Sequence, residues 1–91
     1  MKLTKHAELR MKQRAINWSQ VTAVLAFGED HYHGNNTYYT CLSKKALEEL
    51  RIKSKELKVV QELDKLKHLF VVSAENSIVT VGFKTKHIHN H

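Results

Sequence analysis

The stretch that decides the fold is "HLFVVSAENSIVTVGFK", residues 68–84, which predicts a strand, a turn and a second strand. Its first part, residues 68–73, is an apolar run of the kind that forms a central strand with both faces covered. Residues 74–77 carry the polar pattern of a turn. Residues 78–84 supply the antiparallel partner strand. The rest of the chain must extend and cover the sheet that this hairpin begins.

A second hairpin is predicted upstream, in "EDHYHGNNTYYTCL", residues 29–42. Gly34, Asn35 and Asn36 form a turn signal between two runs of aromatic and β-favouring residues. Two hairpins predict a four-stranded antiparallel sheet, and the pattern does not define the order in which the strands pair.

Two helices are predicted before the hairpins. The first covers about residues 5–15, after Thr4 as its N-cap, and contains good helix formers with no glycine or proline. The second begins after Asn17, and Gln20 stands where the partner of a capping box belongs. Its apolar residues recur at helical spacing up to Gly28, which is expected to end the helix in the left-handed conformation.

A third helical segment lies between the hairpins. Ser43 is its predicted N-cap, and apolar residues recur at helical spacing through residues 44–67, with a polar patch at 51–55 that can divide the segment in two. The element order is therefore α-α-β-β-α-β-β. It predicts one α+β domain, residues 1–91, with an antiparallel sheet and its helices toward one face.

The composition favours a polyanionic partner. Lysine and arginine number 15 against 9 acidic residues, which gives a net charge of +6 and a pI near 9.6. RNA, DNA and acidic proteins fit such a surplus of positive charge. The single cysteine, Cys41, and the lack of a signal-peptide or membrane-spanning pattern lead us to expect a cytoplasmic protein with no membrane association.

One stripe of the first helix, in "LTKHAELRMKQRAIN", residues 3–17, is unusual. His6, Arg10 and Arg14 recur every four residues and therefore lie along one line of the helix. Apolar residues mark the neighbouring buried arc, at Leu3, Ala7 and Met11. Arg14 falls inside this arc and Arg10 just off its edge, so we expect each arginine to meet a carboxylate, carbonyl groups or a bound anion near the sheet.

The stripe has two interpretations. In the structural one, Arg14 caps carbonyl groups of a loop or forms an ion pair with Glu29, Asp30 or Asp64, and His6 is a surface residue. In the functional one, the stripe binds RNA and cleaves it without a metal, by attack of the 2′-hydroxyl on the adjacent phosphate.

The functional interpretation assigns a role to each residue type. His6 is general acid or base, because its ordinary pKa suits proton transfer near neutral pH. Arg10 and Arg14 clamp the phosphate, since guanidinium groups match phosphate oxygens and stabilise the growing charge. Further groups for this chemistry come from the second strand and the start of the third helix, at Tyr38, Tyr39 and Lys44. We expect no cofactor.

The chain resembles a small bacterial family, domain of unknown function 4258. Its opening pattern T-x-H-A-x-x-R-M-x-x-R-x-I matches residues 4–16, and "VTAVL", residues 21–25, resembles the family's short second helix. Looser matches follow in "SKKAL", residues 43–47, and "SIVTVGF", residues 77–83. The family is itself similar to the nuclease folds of barnase, RelE-like toxins and colicin-type tRNases.

This resemblance implies a small toxin-like RNA-binding protein, with metal-independent ribonuclease activity as its chemistry. His6, Arg10 and Arg14 occupy the polar positions of the motif, and Thr80 is implied to face the same site. An acidic antitoxin-like partner is also implied. Ala15 stands where the family usually has glycine, and the long third helix can change the cover of the sheet or form a dimer surface.

Two further functions stay open on the sequence. One is a non-catalytic binding module for RNA, DNA or an acidic partner. The other is a dimeric interaction protein whose histidine and arginine stripe only stabilises the fold. The histidines in "HYH", residues 31–33, and "HIHNH", residues 87–91, alternate as metal ligands can, but neither group brings a cysteine or carboxylate in firm spacing. We therefore predict no metal site.

Overall fold

A computed structural model of the chain describes residues 1–57 and 63–84, with the side chains at 54–57, 63 and 64 excepted. Nine helices and strands lie within these ranges. In chain order they are β1 (Lys2–Leu3), α1 (Lys5–Arg14), α2 (Trp18–Phe27), β2 (Glu29–Tyr32), β3 (Thr37–Cys41), α3 (Lys44–Leu57), α4 (Leu63–His68), β4 (Leu69–Ala74) and β5 (Ser77–Phe83).

The strands form one mixed sheet in the order β1-β5-β4-β3-β2. β1 pairs parallel to β5, with Leu3 opposite Ile78, and the other three pairs are antiparallel. The predicted α+β class and both hairpins are confirmed. The prediction of four strands in a wholly antiparallel sheet was wrong, because a two-residue strand is too short to show alternation in the sequence.

The central strand is β4, as its apolar sequence predicted. Leu69, Val71 and Ser73 are buried along one face, and Val71 lies opposite buried Val81 on β5. The helices share this face of the sheet, where α1 packs on β5, and α2 packs on β4 and β3. A single core joins buried residues from the helices, the strands and the segment before α3, namely Ala7, Ile16, Val21, Val24, Leu42, Ala46, Leu66, Leu69, Val71, Ile78 and Val81.

The predicted helix starts are confirmed by their hydrogen bonds. The Thr4 hydroxyl accepts from a backbone N–H of the first turn of α1 and donates to the Val79 carbonyl at 3.1 Å, which ties the helix start to β5. Asn17 and Gln20 form the predicted capping box at the start of α2. The Ser43 hydroxyl accepts from a backbone N–H in the first turn of α3. The predicted third helical segment forms two helices: α3 continues through the polar patch to Leu57, and α4 begins at Leu63.

The predicted role of Gly28 was wrong. Its φ of −81° is extended, so the position does not require left-handed backbone. Glycine is required instead by space, because a Cβ atom there would overlap the Val24 carbonyl oxygen and lie 2.9 Å from the Cys41 carbonyl oxygen. Gly28 is therefore the point where α2 turns directly into the sheet.

Both hairpin turns use left-handed backbone. Gly34, Asn35 and Asn36 have φ values of 85°, 52° and 57°, and Glu75 and Asn76 have values of 47° and 67°. Asparagine tolerates this region better than most residues. Both predicted turns are therefore confirmed.

None of the described helices is long and apolar enough to cross a bilayer.

Ala15 ends α1 in the left-handed conformation, with φ 54° and ψ 44°. This region costs an L-residue about 1–2 kcal/mol, whereas glycine adopts it without strain but loses more entropy on folding. We expect Ala15→Gly to stabilise the protein by about 0.5–1 kcal/mol and to raise Tm by a few degrees, measured by thermal and urea unfolding.

The control for this substitution is Ala26→Gly, at an exposed position inside α2. There the backbone is helical, so glycine should destabilise the protein by about 0.5–1 kcal/mol. A loss of stability from Ala15→Gly equal to that of the control would contradict the account of Ala15.

Candidate functional site

The cationic stripe of α1 points outward rather than toward the core. Ala7 is buried and Met11 is half-buried, as the apolar arc predicted, whereas His6 and Arg14 are exposed and Arg10 is half-exposed. The expected burial of Arg14 was wrong, because Arg14 is the last residue of the helix and lies beside the end of β5, where the sheet no longer covers it.

The described side chains give Arg14 neither a hydrogen bond nor an ion pair. Two of its three predicted partners are engaged elsewhere, since the Glu29 carboxylate lies 4.0 Å from the His31 imidazole and the Asp30 carboxylate accepts from Thr40 at 2.6 Å. The side chain of the third, Asp64, lies outside the described part of the chain.

Arg10 differs from Arg14, because its Nη1 donates to the Gln13 side-chain oxygen at 3.5 Å, within the same helix. Along residues 1–57 and 63–84, no described carboxylate therefore accounts for either arginine of the stripe.

Arg14 lines a shallow depression of about 340 Å³ with residues from two other elements. Lys65 and His68 come from α4, Phe83 is the last residue of β5, and Lys84 follows it. We call this site the basic depression. Of the five described residues that line it, four can carry positive charge and none carries a carboxylate, so its chemistry suits an anion.

Two backbone features bring these elements together. Leu69 lies opposite Phe83 in the sheet, so the end of α4 and the end of β5 meet at one place. The Lys84 N–H donates to the His68 carbonyl at 2.7 Å and fastens the two ends. α1 runs along β5 from Val79, where Thr4 is bound, and so delivers Arg14 to the same end.

Thr80 lies on the other face of the sheet. Residues opposite each other in antiparallel strands share a face, and successive residues alternate. Val71 and its partner Val81 face the helices and are buried, so Thr80 and its partner Val72 face away from them. The implied placement of Thr80 beside His6, Arg10 and Arg14 is therefore corrected.

Tyr38 and Lys44 also lie apart from the basic depression. Tyr38 is on β3, two strands from β5, and its ring lies 5.2 Å from the ring of Tyr32 near the tip of the hairpin. Lys44 is exposed at the start of α3. Neither residue lines the depression that contains Arg14.

The sheet face opposite the helices carries a row of rings. Tyr39 stacks on Phe70 with centroids 5.1 Å apart, and His33 lies 5.8 Å from Tyr39. Gly82 lies beneath the Phe70 ring, which a Cβ atom there would meet at 2.9 Å. Burial, and secondly the charge of Cys41, raise the pKa of Tyr39 above its usual value, so this hydroxyl is neutral at pH 7.

Among the described residues, no group of three or more histidines, cysteines and carboxylates is close enough to hold a metal ion. His31 and His33 belong to this part of the chain, whereas the histidines of residues 87–91 lie outside it. The prediction that no metal is bound is not tested by these distances.

Sequence reasoning found Arg14 but missed its neighbours Lys65, His68 and Lys84. Lys65 belonged to the predicted third helical segment, His68 to the first predicted strand of the C-terminal hairpin, and Lys84 to its partner strand. The spacing of three between Lys65 and His68 in a helix was the one local signal that placed them on the same side.

The fold and site define a class of protein: an α+β domain with one layer of helices on a mixed sheet and a basic depression where α1, α4 and β5 end. No protein-family model, curated protein or solved structure matches the chain.

Proposed function

We propose that this protein binds RNA, with the basic depression as the place where backbone phosphate is held. The observation that carries the proposal is the convergence of Arg14, Lys65 and Lys84, with His68 beside them, on one depression that no carboxylate among the described side chains lines. Gathering like charges is unfavourable unless solvent or an anion compensates them. Guanidinium and ammonium groups are the usual protein ligands of phosphate.

The rest of the molecule supports a polyanion rather than a small anion. The chain carries a net charge of +6, and Arg10 extends the positive surface along α1 from the depression, with His6 continuing the same line of the helix. The helix rises about 1.5 Å per residue, so His6 and Arg14 are separated by about 12 Å along its axis. Such a span matches consecutive phosphates of one strand better than a single phosphate ion.

RNA is preferred to DNA because of the sequence resemblance. The opening motif is similar to that of domain of unknown function 4258, which is in turn similar to toxin-like nuclease folds acting on RNA. An acidic antitoxin-like protein is the natural competitor for the same surface, and homodimerisation and a cytoplasmic location belong to the same proposal.

Metal-independent cleavage of the bound RNA is the second candidate function. The observation that favours it is the presence of an imidazole, His68, among three permanent cations. Cleavage by the neighbouring 2′-hydroxyl needs a base for its proton, an acid for the leaving 5′-oxygen and cations for the charged transition state. His68 can serve in either proton transfer, and Arg14 can bind the phosphate. His6 would serve in proton transfer at a neighbouring nucleotide if the RNA strand continues along α1.

The experiment is incubation of EDTA-treated protein with total RNA and with tRNA. We expect discrete cleavage by the wild type, a loss of at least a hundredfold in rate for His68→Ala, and a smaller loss for His6→Ala, because general acid–base catalysis contributes about 10²–10⁴-fold. His31→Ala, at an exposed histidine on the edge strand β2, is the matched control and should cleave normally.

The outcomes separate the candidate functions. Binding without cleavage would leave an RNA-binding module and remove the enzyme. Cleavage abolished by His6→Ala but unchanged in His68→Ala would move the catalytic centre to the N-terminal half of α1. The proposal would be contradicted if the folded protein failed both to bind and to cleave RNA. Circular dichroism and Tm of each variant show whether it is folded.

A further inference from the structure

The basic depression has an aromatic wall. The Phe83 side chain is half-buried, packs against the core and lines the depression between the basic residues. Lys65, Lys84 and Arg14 line the same space. Side chains of this kind can cover apolar surface with their methylene stems while their charged groups reach water. An anion alone would leave this apolar wall exposed to water. The wall therefore favours a ligand with both a flat apolar part and a negative charge.

A nucleotide has these two parts, provided that its base is unpaired. The volume of about 340 Å³ is at the lower end of the range for small-ligand sites, so it suits one nucleotide rather than a long segment. In an A-form duplex the bases are stacked inside the helix, so their flat faces cannot reach such a depression. An unpaired base can instead stack on an aromatic side chain while its phosphate meets the cations.

We propose that the basic depression recognises an unpaired nucleotide, with the base against Phe83 and the phosphate on Arg14 and Lys84, so that the substrate class is single-stranded RNA. This inference rests on the proposed function. It adds a preference for strand state that charge alone does not give, because an electrostatic surface binds duplex phosphates as well.

The test compares a 12-nucleotide single-stranded RNA with the duplex of the same sequence, by fluorescence anisotropy at low salt. Wild-type protein should bind the single strand about tenfold more tightly. Phe83→Leu should weaken single-strand binding about tenfold, as the loss of one stacked base does, and leave duplex binding within twofold. Phe83→Tyr, which keeps the ring, should retain the preference. A 2-aminopurine base in the single strand should change its fluorescence with wild type and not with Phe83→Leu.

Phe70→Leu is the matched control, since it removes a half-buried aromatic ring from the opposite face of the sheet. It should leave both affinities within twofold of wild type. A folding defect in Phe83→Leu would lower single-strand and duplex binding equally, so the ratio of the two affinities is the decisive quantity.

Each negative result has a distinct meaning. Equal wild-type affinity for the two forms, or a Phe83→Leu variant with an unchanged ratio, would overturn the inference and leave the proposed function standing. A preference that Phe70→Leu abolishes and Phe83→Leu keeps would overturn it by moving base recognition to the opposite face. Absence of binding to either form would overturn the proposed function together with the inference.

Discussion

Gly28→Ala is expected to destabilise the protein by about 3 kcal/mol, the upper part of the range for forcing extra atoms into a packed site. The added Cβ overlaps the Val24 carbonyl oxygen and lies 2.9 Å from the Cys41 carbonyl oxygen and from the Thr40 methyl group. Two of these three neighbours are backbone atoms, which cannot rotate away. Thermal and urea unfolding would show the loss as a lower Tm and a lower denaturant midpoint.

Gly34→Ala is the control for this substitution. A Cβ atom at Gly34 meets nothing within 4 Å, but the φ of +85° is strained for alanine. The expected cost is therefore only the backbone strain, about 1–2 kcal/mol. If Gly34→Ala destabilises the protein as much as Gly28→Ala, backbone conformation rather than close approach governs both glycines, and the account of Gly28 is wrong.

The contrast between these glycines explains what could be predicted from sequence. Gly34 and the capping residues Thr4, Asn17 and Ser43 act through bonds and dihedral angles of their own segment, so local patterns identified them. Gly28 depends in part on the approach of β3, which begins nine residues later at Thr37, because two of its three close neighbours, Thr40 and Cys41, belong to that strand. No local pattern encodes that approach, and the usual role of a glycine after a helix was assigned in its place.

The same reason explains why the candidate site was only partly predicted. Helical spacing correctly aligned His6, Arg10 and Arg14, because i and i+4 relations are local. The neighbours of Arg14 are separated from it by most of the chain, and they meet it only through the pairing of β4 with β5 and the packing of α1 on β5. Thr80 was placed near the stripe by the resemblance alone. The alternation of side chains along β5 puts it on the opposite face of the sheet.

The second large effect is expected from removing charge at the basic depression. The double substitution Arg14→Gln with Lys84→Gln should weaken RNA binding about tenfold or more at 50 mM salt. It should also reduce the slope of log Kd against log salt concentration by about 1.4, because each of the two lost phosphate contacts with a single strand contributes about 0.7. Anisotropy titrations across a salt series measure both quantities.

The matched control is Lys5→Gln with Lys12→Gln. These lysines are exposed and lie together with Glu8 on another side of α1. The control removes the same net charge, and Lys12, like Arg14, lies in the last turn of the helix. Equal weakening by both double variants would mean that RNA responds only to net charge, and the basic depression would have no special role.

Stability measurements on the Arg14 variant separate function from structure. If Arg14 held the fold together through a buried ion pair, its replacement would lower Tm by several degrees, since breaking such a pair costs about 3–5 kcal/mol. Arg14 is exposed, and no described side chain pairs with it. We therefore expect Arg14→Gln to change Tm no more than Lys12→Gln does. A large loss confined to Arg14→Gln would favour the structural interpretation of the stripe over an RNA site.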